Sequence, residues 1–266
     1  MDTASASSAR AGTSGDIWET AARAGFVVSG LLHLILGYVI VRIGLGSGGE
    51  ADSSSALSRL RDAPAGPVIL WGSALAFVAL ALWQLFDALR GSREAMDRAK
   101  AGGKFVLYAS LAVSAASIAM GGGDSNGDQQ ASGIAATLMG APGGPVIVGA
   151  IGLGILGGGV YHVVKGARKK FLDDLKPMPG KELGTGVKTV GTVGYIAKGI
   201  ALGAVGVLFV IAAVTADPDQ AKGIDGGIEA LLGMPGGPVI VILIGVGFAA
   251  YGLYSFARAR YARMHS

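Results

Sequence analysis

Apolar residues fall along this chain in six long blocks: 24–44, 67–89, 104–120, 145–164, 193–214 and 238–257. The blocks run from 17 to 23 residues, near the roughly 20 that a helix needs to cross about 30 Å of hydrocarbon. A core helix of a water-soluble domain is usually shorter and keeps a polar face; these blocks keep almost none. The pattern predicts six transmembrane helices. Around the shortest block, Gly102–Gly103 and Gly121–Gly123 are expected to continue the helix.

Composition agrees with the pattern. Only 15% of residues are charged and 51% are hydrophobic, where a soluble domain has about 25% charged. With no Cys, thiolate metal sites, disulfide frameworks and cysteine nucleophiles are excluded. The net charge of +4 matters less than its distribution. Of the 22 Lys and Arg residues, 18 lie in the N-terminal tail, the second and fourth connections and the C-terminus, or just inside the adjoining helix ends. The opposite connections hold Asp124, Asp128, Asp217, Asp219, Asp225 and Glu229 among others. This is the positive-inside bias. It predicts a multi-pass protein of the cell (inner) membrane with both termini cytoplasmic. Residues 1–17 read as a flexible cytoplasmic tail, and the first block is too long for a secretory leader. Arg168, Lys169 and Lys170 read most simply as a topology signal among anionic headgroups; no nucleic-acid partner is expected.

The chain also repeats. Pro64-Ala65-Gly66-Pro67-Val68-Ile69, Pro142-Gly143-Gly144-Pro145-Val146-Ile147 and Pro235-Gly236-Gly237-Pro238-Val239-Ile240 each open an even-numbered block. Sixteen residues after the second Pro stands Trp83, Tyr161 or Tyr254; these three are expected as aromatic anchors at the inner interface. A Pro suits the first turn of a helix, where its missing N–H removes an orphan donor, and it forces the preceding segment to end. Short apolar stretches ahead of each element (56–60, 133–138 and 227–232) predict interfacial helices on the outer surface. Aligning Phe26, Phe105 and Tyr195 brings Gly30, Ala109 and Gly199 together, then Gly37, Ala116 and Gly206, then Gly44, Gly123 and Ala213. A small residue at every seventh position makes a nearly straight helical stripe along which another helix can approach closely. Gly154 and Gly158 are expected to form a packing surface of the same kind. Gly152-x-Gly154-x-x-Gly157 imitates a dinucleotide fingerprint, but it lies inside a span with no strand before it.

Two spans per repeat return the chain to the same side, so the three copies share one orientation, with any symmetry axis along the membrane normal. The expected fold is an all-α membrane protein: three tandem two-helix repeats (18–91, 98–170 and 188–261) in a pseudo-threefold bundle. The hairpins, the opening Ala22-Arg23-Ala24-Gly25-Phe26 (partly kept at Gly194-Tyr195), the Pro-x-Gly element and the inner aromatic resemble the bacterial "domain of unknown function 1206" membrane family over roughly residues 18–261. That resemblance implies no established activity. Members typically carry a basic residue before a Gly near the inner end of each first helix. Lys198-Gly199 keeps this pair, whereas Ser29 and Tyr108 stand at the other two places.

Candidate chemistry is sparse. His33 is the one ionisable side chain deep within a span, three residues after Gly30 and four before Gly37. Intramembrane ionisable groups are functional candidates, and His33, Ser29 and Tyr38 form the candidate polar site. The blander reading is a neutral histidine bonded to a neighbouring helix, since Ala112 and Leu202 replace it in the other repeats. Lys198 is expected to snorkel to the interface. No catalytic, cofactor or metal site is predicted. The expected role is a non-enzymatic structural or accessory bundle whose partners are membrane lipids or other membrane proteins. The alternative is a small transporter or channel with its pathway along the pseudo-threefold axis.

Overall fold

In the computed structural model the apolar blocks become helices, and polar turns and short helices join them. Residues 23, 25–27, 29–46, 66–89 and 127–263 are described, with a discontinuous set between 102 and 120. In chain order the helices are α1 (Gly25–Gly44), α2 (Gly66–Leu89), α3 (Gly127–Met139), α4 (Gly144–Ala167), α5 (Lys181–Thr215), α6 (Ile224–Leu232) and α7 (Gly237–Tyr261). Four of them, α1, α4, α5 and α7, are long and apolar enough to cross a membrane. The apolar part of α2 is the shorter Leu70–Phe86. The third block is described only in part, and its described residues from 102 to 119 are helical. The tail at 1–17 and the first outer helix at 56–60 lie outside the described residues.

The chain divides into two compact units, Met1–Ala51 with Asp128–Ser266, and Asp52–Gly127. In the smaller unit Phe77 of α2 stacks on Tyr108 with ring centroids 6.4 Å apart, and Ala74, Ala81, Ala112 and Ala115 are buried.

The larger unit shows how the Pro-Gly-Gly-Pro element works. Gly143 and Gly236 take left-handed backbone angles, with φ of 75° and 76°, which a Cβ disfavours. A Cβ on the next glycine, Gly144 or Gly237, would collide with the carbonyl of Leu138 or Leu232. The first glycine therefore turns the chain and the second lets the turn fold back on the short helix before it. Pro145 and Pro238 follow in the first turns of α4 and α7. The short helices expected at 133–138 and 227–232 are present as α3 and α6.

Asp128 joins these two short helices. Its Oδ1 accepts hydrogen bonds from Gly223 N at 2.7 Å and Gly226 N at 3.1 Å. The N-cap of α6 is Gly223, which has no side chain to offer, so a carboxylate from the first turn of α3 satisfies the orphan donors instead. Asp128→Ala should destabilise the fold by about 2 kcal/mol, read as the shift in thermal unfolding in detergent micelles. An unshifted midpoint would show that these bonds add nothing.

The small-residue stripes meet one another. A Cβ on Gly30 would stand 3.1 Å from the Gly252 carbonyl oxygen, and one on Gly37 2.6 Å from that of Gly245. One on Gly44 would lie 3.0 Å from the Pro238 carbonyl oxygen. On α5, Gly199 and Gly206 face Gly159 and Gly152 of α4 in the same way. The even helices thus carry their own seven-residue stripe, counted from the second Pro: Pro145, Gly152 and Gly159 on α4, and Pro238, Gly245 and Gly252 on α7. Gly154 and Gly158, the glycines expected to pack, have nothing within 4 Å of the point where a Cβ would stand. The packed pair on α4 is Gly152 and Gly159, because the stripe follows the seven-residue register of its partner and not a four-residue spacing.

Helix α5 begins at Lys181, twelve residues before the apolar block at 193. Its 35 residues extend about 52 Å, well beyond the hydrocarbon thickness. The polar extension packs back through Val187, which is 5% exposed, beside Phe171, Leu175 and Tyr254. Lys170–Leu172 forms a 3-10 turn, and Lys176 N donates to Tyr261 O while Arg263 N donates to Asp174 O. These contacts bring the basic ends of α4, α5 and α7 together.

Candidate functional site

Where α1 crosses α5 and α7, a polar group forms around His33. Its Nδ1 lies 2.7 Å from the carbonyl oxygen of Ser29 and 3.4 Å from Ser29 Oγ. Its Nε2 lies 3.3 Å from Lys198 Nζ. A ring nitrogen facing a carbonyl must donate, so Nδ1 carries the proton and the Nε2 lone pair accepts from the lysine. Lys198 Nζ also stands 4.6 Å above the ring of Tyr251, a cation–π contact worth more where water is excluded. The imidazole packs against Tyr251 at 4.7 Å and Phe248 at 5.8 Å. Lysine, imidazole, carbonyl and aromatic face thus satisfy one another within the bundle.

On the far side of His33 the interior closes. Leu36, Ile40, Ala201, Ile228, Val241, Ile244 and Phe248 form one apolar cluster in which Ile40 and Val241 are 0% exposed. Towards the basic end the surroundings are aromatic and cationic. Phe171, Tyr195, Tyr251 and Tyr254 pack with centroid separations of 5.2 to 5.9 Å. Lys165 pairs with Asp174 at 2.8 Å and approaches the Tyr195 ring. Arg23 donates to the carbonyls of Ala259 and Arg260 at the end of α7, and Arg258 covers Phe26 at 4.5 Å. The Arg23-x-x-Phe26 spacing therefore attaches the start of α1 to the end of α7.

The structure brings two members of the predicted polar site together and leaves out the third. Ser29 and His33 meet, whereas Tyr38 is 61% exposed and directed away from them. Lys198, expected to snorkel outward, turns inward to His33. The sequence did hold a signal for it: Lys198 precedes Gly199 just as Ser29 precedes Gly30, so both occupy the same step of the stripe. The three inner aromatics also part company. Trp83 and Tyr161 are exposed, as interfacial anchors would be, but Tyr254 is wholly buried and donates to the Phe171 carbonyl. The extra segment around Phe171, present only in the third repeat's approach, covers it. Arg168, Lys169 and Lys170 are exposed at the turn after α4, and Lys169 takes a left-handed backbone with φ of 57°.

Apolar helices paired through facing glycines, in a repeating hairpin pattern, define an all-helical membrane-type protein. The chain belongs to the family described as Domain of Unknown Function (DUF1206), whose model matches three times, over residues 24–91, 99–169 and 193–262. It is similar to the "Uncharacterized protein YxxB" of Bacillus subtilis (strain 168), with 28% identity over 251 residues covering 91% of this chain and 90% of that protein. No solved structure matches the chain.

Proposed function

We propose that this protein is a non-enzymatic structural or accessory bundle of the cell membrane that binds lipid or other membrane proteins. It would comprise six spans, with both termini cytoplasmic. The observation that carries this reading is the apolar cluster of Leu36, Ile40, Ala201, Val241 and Ile244 packed beyond His33 in the larger unit. Around His33 itself the polar atoms bond to one another, which suits a lock between helices better than a site awaiting a solute.

The glycine register supports a pseudo-threefold ring. In repeats 1 and 3 the odd helix packs on the even helix of the preceding hairpin in cyclic order. Repeat 2 carries small residues at the matching steps, Ala109 and Ala116 on its odd helix and Ala74 and Ala81 on α2.

A transporter is the second reading, favoured by the His33–Lys198 pair itself. Reconstitution in liposomes with a panel of ions and small solutes separates the two. The expected result is no flux above protein-free vesicles. A flux that disappears in His33→Ala would overturn the accessory role.

A further inference from the structure

We propose that the α5 face between α4 and α7 holds one anionic phospholipid, its headgroup at Lys169 and Lys188 and an acyl chain in the groove below. This rests on the membrane-bundle reading above and names a lipid class and a site for it. Two concavities on this face adjoin. The upper one, about 320 Å³, is lined by Lys169, Thr185, Lys188, Thr189, Thr192 and Val193. The lower one, about 420 Å³, begins at the same Val193 and runs past Ile196 and Ile200 to Ile240, Leu243 and Val246, entirely apolar.

A cationic pocket opening into an apolar furrow matches an amphiphile with an anionic head. From Val193 to Ile200 the apolar furrow follows the helix for about 10 Å, enough for part of one acyl chain. No carboxylate lines either concavity, and neither lysine is ion-paired among the described residues. Nearby Lys165, by contrast, is paired with Asp174. Thr185 and Thr189 donate to carbonyls of their own helix, which leaves the two lysines as the groups that would hold a phosphate.

Lys169 sits just past the end of α4 in the left-handed conformation, where glycine is the usual residue. The negative end of the helix dipole favours a cation in this turn, yet Lys165 and Arg168 already supply one. A lysine held in that conformation places a further charge at the pocket.

The chain has no cysteine, so single thiols report cleanly. A fluorophore on Leu243→Cys, in the groove, is followed in phosphatidylcholine vesicles. A rising fraction of the lipid is replaced by brominated phosphatidylglycerol or by brominated phosphatidylcholine. Quenching by the anionic lipid should be half complete at a fraction about tenfold lower. Lys169→Gly and Lys188→Gln should each reduce that preference about fivefold, whereas Lys181→Gln should not. Lys169→Gly also relieves the left-handed strain, so a loss there does not reflect misfolding. A label on Val160→Cys, which is 57% exposed and outside the groove, should be quenched equally by both lipids. Equal quenching at Leu243→Cys, or a preference that survives both lysine changes, would overturn the lipid site. Absence of quenching at Val160→Cys would instead overturn the membrane bundle on which it rests.

Discussion

Gly37→Leu should destabilise the folded protein by about 3 kcal/mol or more, read as a lowered thermal unfolding midpoint in detergent micelles. A Cβ at Gly37 would stand 2.6 Å from Gly245 O and 2.7 Å from Ala249 N. Both are backbone atoms in the middle of α7, so no rotamer change relieves the contact. A Cβ at Gly245 would likewise lie 2.8 Å from Gly37 O and 2.7 Å from Val41 N. Relief requires α1 to move away from α7 along its length, which would also draw His33 away from Lys198. In lipid that separation is not opposed by water, so the close packing itself holds the helices together. Gly154→Ala and Gly158→Ala supply the contrast, because a methyl there meets open space. Each should leave stability unchanged or raise it by roughly 0.5 to 1 kcal/mol through better helix propensity. Equal midpoints for Gly37→Leu and Gly154→Ala would refute the stripe.

The inner aromatics give the second large effect. Tyr254→Ala should cost about 3 to 5 kcal/mol, while Trp83→Ala and Tyr161→Ala should each cost under about 1 kcal/mol. Tyr254 is 0% exposed, against 64% and 59% for the other two. Its ring packs on Phe171 at 5.2 Å, Tyr195 at 5.5 Å and Tyr251 at 5.9 Å, and its hydroxyl donates to Phe171 O at 3.2 Å. Truncation leaves a cavity among three aromatic rings and a buried carbonyl without its donor. Tyr254→Phe isolates the second part and should cost about 1 kcal/mol. Comparable losses at all three positions would mean that place in the repeat, and not burial, sets their contribution.

Hydropathy located four of the spans to within a few residues at most ends, but it placed the start of α5 at 193 instead of 181. Lys181, Glu182, Thr185 and Lys188 are polar, and a helix that leaves the bilayer keeps its backbone bonds while losing its apolar signal. The odd-helix stripe was legible because three copies could be aligned. The even-helix stripe was present in the same alignment, seven and fourteen residues after the second Pro. It was masked by the more conspicuous four-residue glycine spacing, Gly154 to Gly158, which lies on a different face of α4. Tyr38 shares a helix and a polar character with His33, yet five residues of helix turn it by about 140°.

By itself the sequence determined what is local or periodic: the solvent for which the long helices are suited, the threefold repeat, the short helices before the second and third Pro-Gly-Gly-Pro elements, and the steps at which backbones can touch. These follow from side-chain hydrophobicity, size and spacing, which need no partner to be read. Tertiary structure alone decided which stripe meets which, that Asp128 caps α6, that Tyr254 is enclosed while its counterparts are not, and that Lys198 turns to His33. Each of those depends on residues from different hairpins arriving within a few ångströms of one another, and separation along the chain carries no record of that distance.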